Sequence, residues 1–182
     1  PPQSIFSERE KMLSLRAVQA CPAVNELEKR TFSIASPFHL HLELEKSGDR
    51  FDLYSVDGTN RLDDDLMGRF VTLMRPEFWR SPTAPVIQIA SPYIFFADDN
   101  VYLTQTAPHM HEPIRKWPGL IISGRYQIQN WFRPLNWAFE WTDTSKPLRI
   151  RQGEPLYYCS FESVNPDANI DLFRAKVTDQ VT

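Results

Sequence analysis

Proline punctuates this chain at short intervals, at positions 37, 76, 82, 85, 92, 108, 113, 118, 134, 147 and 155. Because proline removes a backbone donor and clashes with the preceding helical turn, no helix longer than about three turns fits between Pro76 and Phe161. What does fit is a series of short β-prone runs: Val86 to Ala90, Tyr93 to Phe96, Val101 to Thr106, Gly119 to Ser123, Arg125 to Phe132, Trp137 to Trp141, Leu148 to Arg151 and Leu156 to Phe161. Separators such as Ser91-Pro92, Asp98-Asp99-Asn100, Arg133-Pro134 and Gly153-Glu154-Pro155 space them as strands are spaced in sandwiches and barrels. βαβ units, which need a crossover helix, are argued against. The balance of 15 Pro to 6 Gly also disfavours glycine-cradled phosphate chemistry, since no GxGxxG, P-loop or GxSxG string occurs.

The first third carries its own signals. Ser7 with Glu10 fits a capping box, and Met12, Leu13, Leu15 and Val18 form one apolar flank, which predicts a helix that Cys21-Pro22 stops. Thr31 to Ile34 is β-prone. The clearest period of two follows, with Phe38, Leu40, Leu42 and Leu44 alternating with His39, His41, Glu43 and Glu45. Lys46 to Asp49 reads as a turn and Phe51 to Val56 as the returning strand of a hairpin. Asp63-Asp64-Asp65 could open a short helix through Met74, although Arg69 to Met74 reads equally as strand. A short helix is expected around Ile170 to Val177. The expected organisation is one mainly β domain over residues 1–182, an antiparallel β-sandwich or jelly-roll. Residues 1–22 form a helical arm, 30–162 the β core and 163–182 a tail.

With 182 residues the chain suits one core. Its formal charge of −3 comes with scattered signs and no basic block, which disfavours nucleic acid as a partner. No apolar run approaches the roughly 18 residues of a membrane span, and the first ten residues carry acid instead of a signal peptide's basic-then-apolar order. Cys21 and Cys159 have no metal-ligand spacing and read as reduced thiols. These features predict a cytoplasmic protein with no membrane or nucleic-acid partner, and leave a homo-oligomer open.

Three constellations carry chemistry. All four histidines fall in two pairs, His39-Leu40-His41 and His109-Met110-His111, with Glu43 beyond the first and Glu112 beyond the second. On a strand, residues two apart face the same side, so His39, His41, Glu43, His109 and His111 are candidate ligands for one divalent metal, Fe, Mn or Zn. The competing reading leaves them as solvated polar positions. The second constellation is aromatic: Trp137, Phe139 and Trp141 share one strand face, opposite Asn136, Ala138 and Glu140 and just after Arg133. Rings beside such polar groups suit a sugar or other ring-bearing ligand, and the opposite face suits a cavity lining. A packed core explains the rings equally. Arg149 and Arg151, on one expected strand face, complete the ligand-binding candidates Arg133, Asn136, Trp137, Glu140, Arg149 and Arg151, with the arginine pair holding a carboxylate or phosphate.

Residues 85–162, through Trp131-Phe132-Arg133-Pro134, Trp137-Ala138-Phe139-Glu140-Trp141 and Leu148 to Pro155, resemble uncharacterised cupin-like bacterial and phage domains. The resemblance implies a double-stranded β-helix and no assigned activity. Of the cupin metal motif only His109 and His111 match. The oxygenases that use iron and 2-oxoglutarate on this architecture need HxD/E with a distal His, for which His41-Leu42-Glu43 with His109 or His111 is the match here. The expected function is binding of a small ligand in the barrel mouth, with one divalent metal as candidate cofactor. The alternative is a non-catalytic binding or assembly module, of phage or structural type, without metal.

Overall fold

In a computed structural model of the protein the described residues are 2–5, 21–56, 68–165 and 167–175. The helix expected from Ser7 and the acidic run Asp63-Asp64-Asp65 lie outside them. The strands are β1 (Gln3–Ser4), β2 (Thr31–Ala35), β3 (Leu40–Ser47), β4 (Arg50–Ser55), β5 (Val71–Leu73), β6 (Val86–Ile89), β7 (Val101–Thr106), β8 (Gly119–Ile121), β9 (Gly124–Gln127), β10 (Trp137–Trp141), β11 (Leu148–Ile150) and β12 (Pro155–Ser163). Among the described residues they form a five-stranded sheet in the order β1-β2-β12-β7-β9, a four-stranded sheet β5-β6-β10-β8 and a three-stranded sheet β11-β3-β4. Every pairing between these strands is antiparallel. The fold is thus mainly β, and no sheet closes into a barrel.

Prolines sit where their missing N–H does least harm. Pro85, Pro118 and Pro147 lie just outside strands, Pro108 follows β7, and Pro155 is the first residue of β12. The β3–β4 hairpin turns through Gly48 at φ 63°, between the paired Ser47 and Arg50. That left-handed conformation costs a glycine little.

Four expectations need correction. A helix that the sequence reading did not include starts at Pro22: α1 (Pro22–Lys29) carries the proline in its first turn, where its fixed φ is already helical and no intrahelical N–H is lost. Tyr93 to Phe96 makes only the single bridge Ile94↔Pro134, and Ile170 to Ala175 adopt no helix. The run from Arg125 leaves the sheet at Ile128, where a 3-10 turn (Ile128–Asn130) begins. The neighbouring amides explain the bend: Gln127 Nε2 donates to Asn100 Oδ1 at 2.7 Å and Gln129 Nε2 to the Asp98 carbonyl at 2.9 Å.

One continuous apolar cluster joins the sheets. Ile34, Leu103, Tyr157, Cys159 and Phe161 enter it from the five-stranded sheet, Val71, Ile87, Ile89, Trp137, Phe139 and Trp141 from the four-stranded one, and Leu40, Leu42, Leu148 and Ile150 from the three-stranded one. The period of two in β3 therefore does what its pattern implies, burying Leu40 and Leu42 while Glu43 stays exposed. Inside this cluster Ser91 Oγ and the Tyr157 hydroxyl share a hydrogen bond of 2.8 Å. Burial pushes the Tyr157 phenol well above its ordinary pKa, so it stays protonated. Tyr158 points the other way, against Ile5 of the N-terminal segment. Cys21 and Cys159 are both free thiols. Among the described residues no helix is long and apolar enough to cross a membrane.

Candidate functional site

The face of β10 opposite its aromatics opens onto a cleft. Ala138 of β10 lies across from Gln88 of β6, both turned away from the Trp137 side. The segment before β10 brings Trp131, Arg133 and Asn136, and is fixed by the Ile94↔Pro134 bridge and by the Leu135 N–H donating to the Tyr93 carbonyl at 3.1 Å. The far wall belongs to the five-stranded sheet: Gln105 on β7 and Tyr126 on β9. Ile122 and Ser123, where the chain passes from β8 of one sheet to β9 of the other, close the bottom. These walls enclose about 470 Å³, within the size range of small-molecule sites.

Of four buried side-chain N–H groups without a hydrogen-bond partner among the described residues, two belong to residues lining this cleft and two, Trp117 Nε1 and Trp137 Nε1, to the aromatic core. Gln105 is 1 % exposed, and its Nε2 has no hydrogen-bond partner among the described residues. Trp131 Nε1 is also buried and unpartnered among them. Leaving a buried donor unmade costs about 1–3 kcal/mol, so such groups are rare in native folds unless something external satisfies them. The Tyr126 ring lies 5.2 Å from that of Trp131, and the Arg133 guanidinium 5.5 Å from the Trp131 centroid. Gly124 makes the Tyr126 position possible, since a Cβ there would come 2.8 Å from the phenol ring's Cζ. Burial first, and the Cys159 thiol second, raise the Tyr126 phenol above its ordinary pKa, so it is a neutral hydroxyl at physiological pH.

Of the sequence-derived ligand candidates, Arg133 and Asn136 line the cleft. Trp137 does not: its ring is fully buried, stacked on Phe139 at 5.1 Å and edge-on to Trp117 at 5.6 Å. Glu140 is tied down by the Arg80 guanidinium, whose Nε reaches Oε1 at 2.9 Å and whose second nitrogen reaches Oε2. That pair holds the Pro-rich 76–85 connection to β10. Arg149 donates to His41 Nε2 at 3.1 Å. Arg151 falls beyond the end of β11, in a turn where its N–H meets Glu154 Oε2 at 2.8 Å, so the two arginines do not share a strand face.

The two histidine pairs belong to different regions. His39 and His41 lie at and in β3 of the three-stranded sheet: His39 Nδ1 accepts the Gln152 N–H at 3.3 Å, and His41 Nε2 lies 3.6 Å from Glu43 Oε1. His109 and His111 occupy tight turns after β7, with their N–H groups on the Ala107 and Pro108 carbonyls. Both rings meet Tyr158 edge-on, and His111 Nδ1 hydrogen-bonds its hydroxyl. Among the described residues no group of three or more His, Cys, Asp and Glu is placed to hold a metal ion. The five proposed ligands thus do not fit a shared coordination sphere. Arg149 against His41 Nε2 further opposes a second cation there.

His111 gives the fold a pH dependence. Burial first, and neighbouring His109 second, lower its pKa below the ordinary 6.5. The fold therefore favours neutral His111, and its contribution is complete above about pH 6.5 and lost as pH falls through that value toward the lowered native pKa. The melting temperature is expected to drop between pH 7.5 and 5, and His111→Gln to flatten that slope. An equal slope in the variant would move the effect to other groups.

Compared with protein-family models, with curated proteins and with solved structures, the chain matches none.

Proposed function

We propose that the protein binds a small ring-bearing ligand in the cleft between β10 and the β7–β9 edge, as a cupin-like binding domain whose ligand is held by protein groups. The observation that carries this reading is the pair of buried, unpartnered N–H donors, Gln105 Nε2 and Trp131 Nε1, at one cleft. Both atoms are closed to solvent as the fold stands, so a bound acceptor would satisfy them after a side-chain shift that turns them to the cleft, and the rings of Tyr126 and Trp131 supply stacking surface. A jelly-roll arrangement of the strands belongs to the same proposal. The misplaced histidine pairs leave a divalent metal no step in it.

Gln105→Leu tests the reading through two opposed effects. Removing an unsatisfied buried amide at nearly constant volume is expected to raise the stability of the ligand-free protein by about 1 kcal/mol. The same variant is expected to weaken roughly tenfold any ligand found by Trp fluorescence on a glycan and small-acid array. Ala138→Trp, which fills the cleft, is expected to abolish that binding. A destabilised Gln105→Leu that binds normally would make the glutamine structural and end the proposal.

A second reading, an assembly module, is favoured by the exposed side chains of Ile94, Phe96 and Phe132, at 51 %, 44 % and 61 %. It expects oligomers in light scattering and no ligand response from the array.

A further inference from the structure

We infer that the cleft selects a small monocarboxylic acid with a flat or apolar body, oriented by Arg133; this rests on the cleft being the ligand site. Charge is the first argument. Of the residues lining the cleft, Arg133 alone carries a formal charge. The lining is locally positive in a chain whose formal charge is −3, and no carboxylate competes for the guanidinium there.

Partners are the second argument. Four arginines of the fold are engaged, Arg80 with Glu140, Arg125 with Glu162, Arg75 with Glu77 and Arg149 with His41, whereas those unpaired among the described residues, such as Arg50 and Arg115, lie away from the cleft, which only Arg133 lines. Arg133 makes no ion pair among the described residues and lies only over the Trp131 ring. That contact leaves the planar fork of N–H groups available for a carboxylate, the geometry in which arginine binds bidentately.

The uncharged groups point to the same chemistry. The unsatisfied atoms, Gln105 Nε2 and Trp131 Nε1, are both donors, so the missing partner is an acceptor. A single cation suits one negative charge better than a phosphate dianion, which sites elsewhere meet with several cations or a nest of backbone N–H groups. Ile122, Leu135 and Ala138, with the rings of Tyr126 and Trp131, line the cleft with apolar surface for the rest of the molecule.

The test compares acids with their own amides. Phenylacetate and indole-3-acetate are titrated into the intact protein by calorimetry beside phenylacetamide and indole-3-acetamide, which keep shape and lose the charge. The acids are expected to bind at least roughly tenfold tighter, and Arg133→Met to remove that difference by weakening the acids alone. Arg133 is exposed, so the variant is expected to fold, and an unchanged melting temperature checks this. Equal binding of acids and amides, or an equal loss of both in Arg133→Met, overturns the carboxylate assignment while the cleft stands as a binding site. Failure of both series to bind at millimolar concentration overturns the assignment and the cleft reading together.

Discussion

Trp137→Ala is expected to cost about 3–5 kcal/mol of unfolding free energy, the range for removing a fully buried large aromatic. The ring has no exposed surface, stacks on Phe139 at an interplanar angle of 13° and meets Trp117 at 87°. Truncation would leave those two rings facing a void that strands on either side of β10 cannot collapse to fill, because β6 and β8 hold its backbone by antiparallel pairing. Urea unfolding with a two-state fit measures the loss. Trp137→Phe is the informative companion. Its indole N–H has no partner among the described residues, so the smaller ring loses contact area and also removes an unsatisfied donor. Its cost is expected to be well under half that of alanine. A Trp137→Ala loss below about 1 kcal/mol would be a surface-type effect and would contradict the buried position.

Gly119→Ala is expected to be nearly as damaging, at about 3 kcal/mol, the upper part of the range for overpacking. Gly119 starts β8 directly across from Trp141. A Cβ there would run into the Glu140 carbonyl oxygen and come within 2.8 Å of the Phe139 ring. The first obstacle is backbone, which cannot rotate away as a side-chain tip does. The variant therefore has to part β8 from β10, and since Ile122 follows β8 and lines the cleft, the damage should reach the ligand site. Thermal unfolding together with ligand titration checks both effects. A melting temperature within a degree or so of the parent would mean that β8 accommodates the methyl group freely.

The two variants lie in the part of the fold that was most legible beforehand. Trp137 to Trp141 alternates aromatic with polar or small residues, and β10 has those bounds. Val101 to Thr106 became β7 without change, and the β3–β4 hairpin formed where alternation and a Gly-containing turn coincide. Local sterics decide such features, so local sequence reports them. The helix from Pro22 to Lys29 is hidden in the sequence because proline reads first as a helix stop, and only capping geometry shows it seated in a first turn. Tyr93 to Phe96 misled because a β-prone run becomes a strand only where a partner's backbone is free to pair, and the partner segment 131–135 offers one bridge.

The candidate site was half legible. Arg133 and Asn136 stood out as polar neighbours of an aromatic strand, and they do line the cleft. Gln105 was passed over although its signal was present: it continues the inward face of Val101 and Leu103, where a glutamine interrupts an apolar period. Gln88 gives a fainter version on β6, since it shares a face with Val86 and lies opposite Ile87 and Ile89. The histidine spacing was real, yet β3 carries one pair in the three-stranded sheet while the turns after β7 carry the other beside Tyr158.

By itself, then, the sequence determined that this protein is built of short antiparallel strands with rigid corners, because proline placement and side-chain alternation act through neighbours a few residues away. Which face of a strand meets core and which meets a cleft depends on sheets brought together from distant parts of the chain. Only the tertiary structure could therefore bury Trp137, separate the histidine pairs, and bring Arg133, Trp131 and Gln105 to one unsatisfied site.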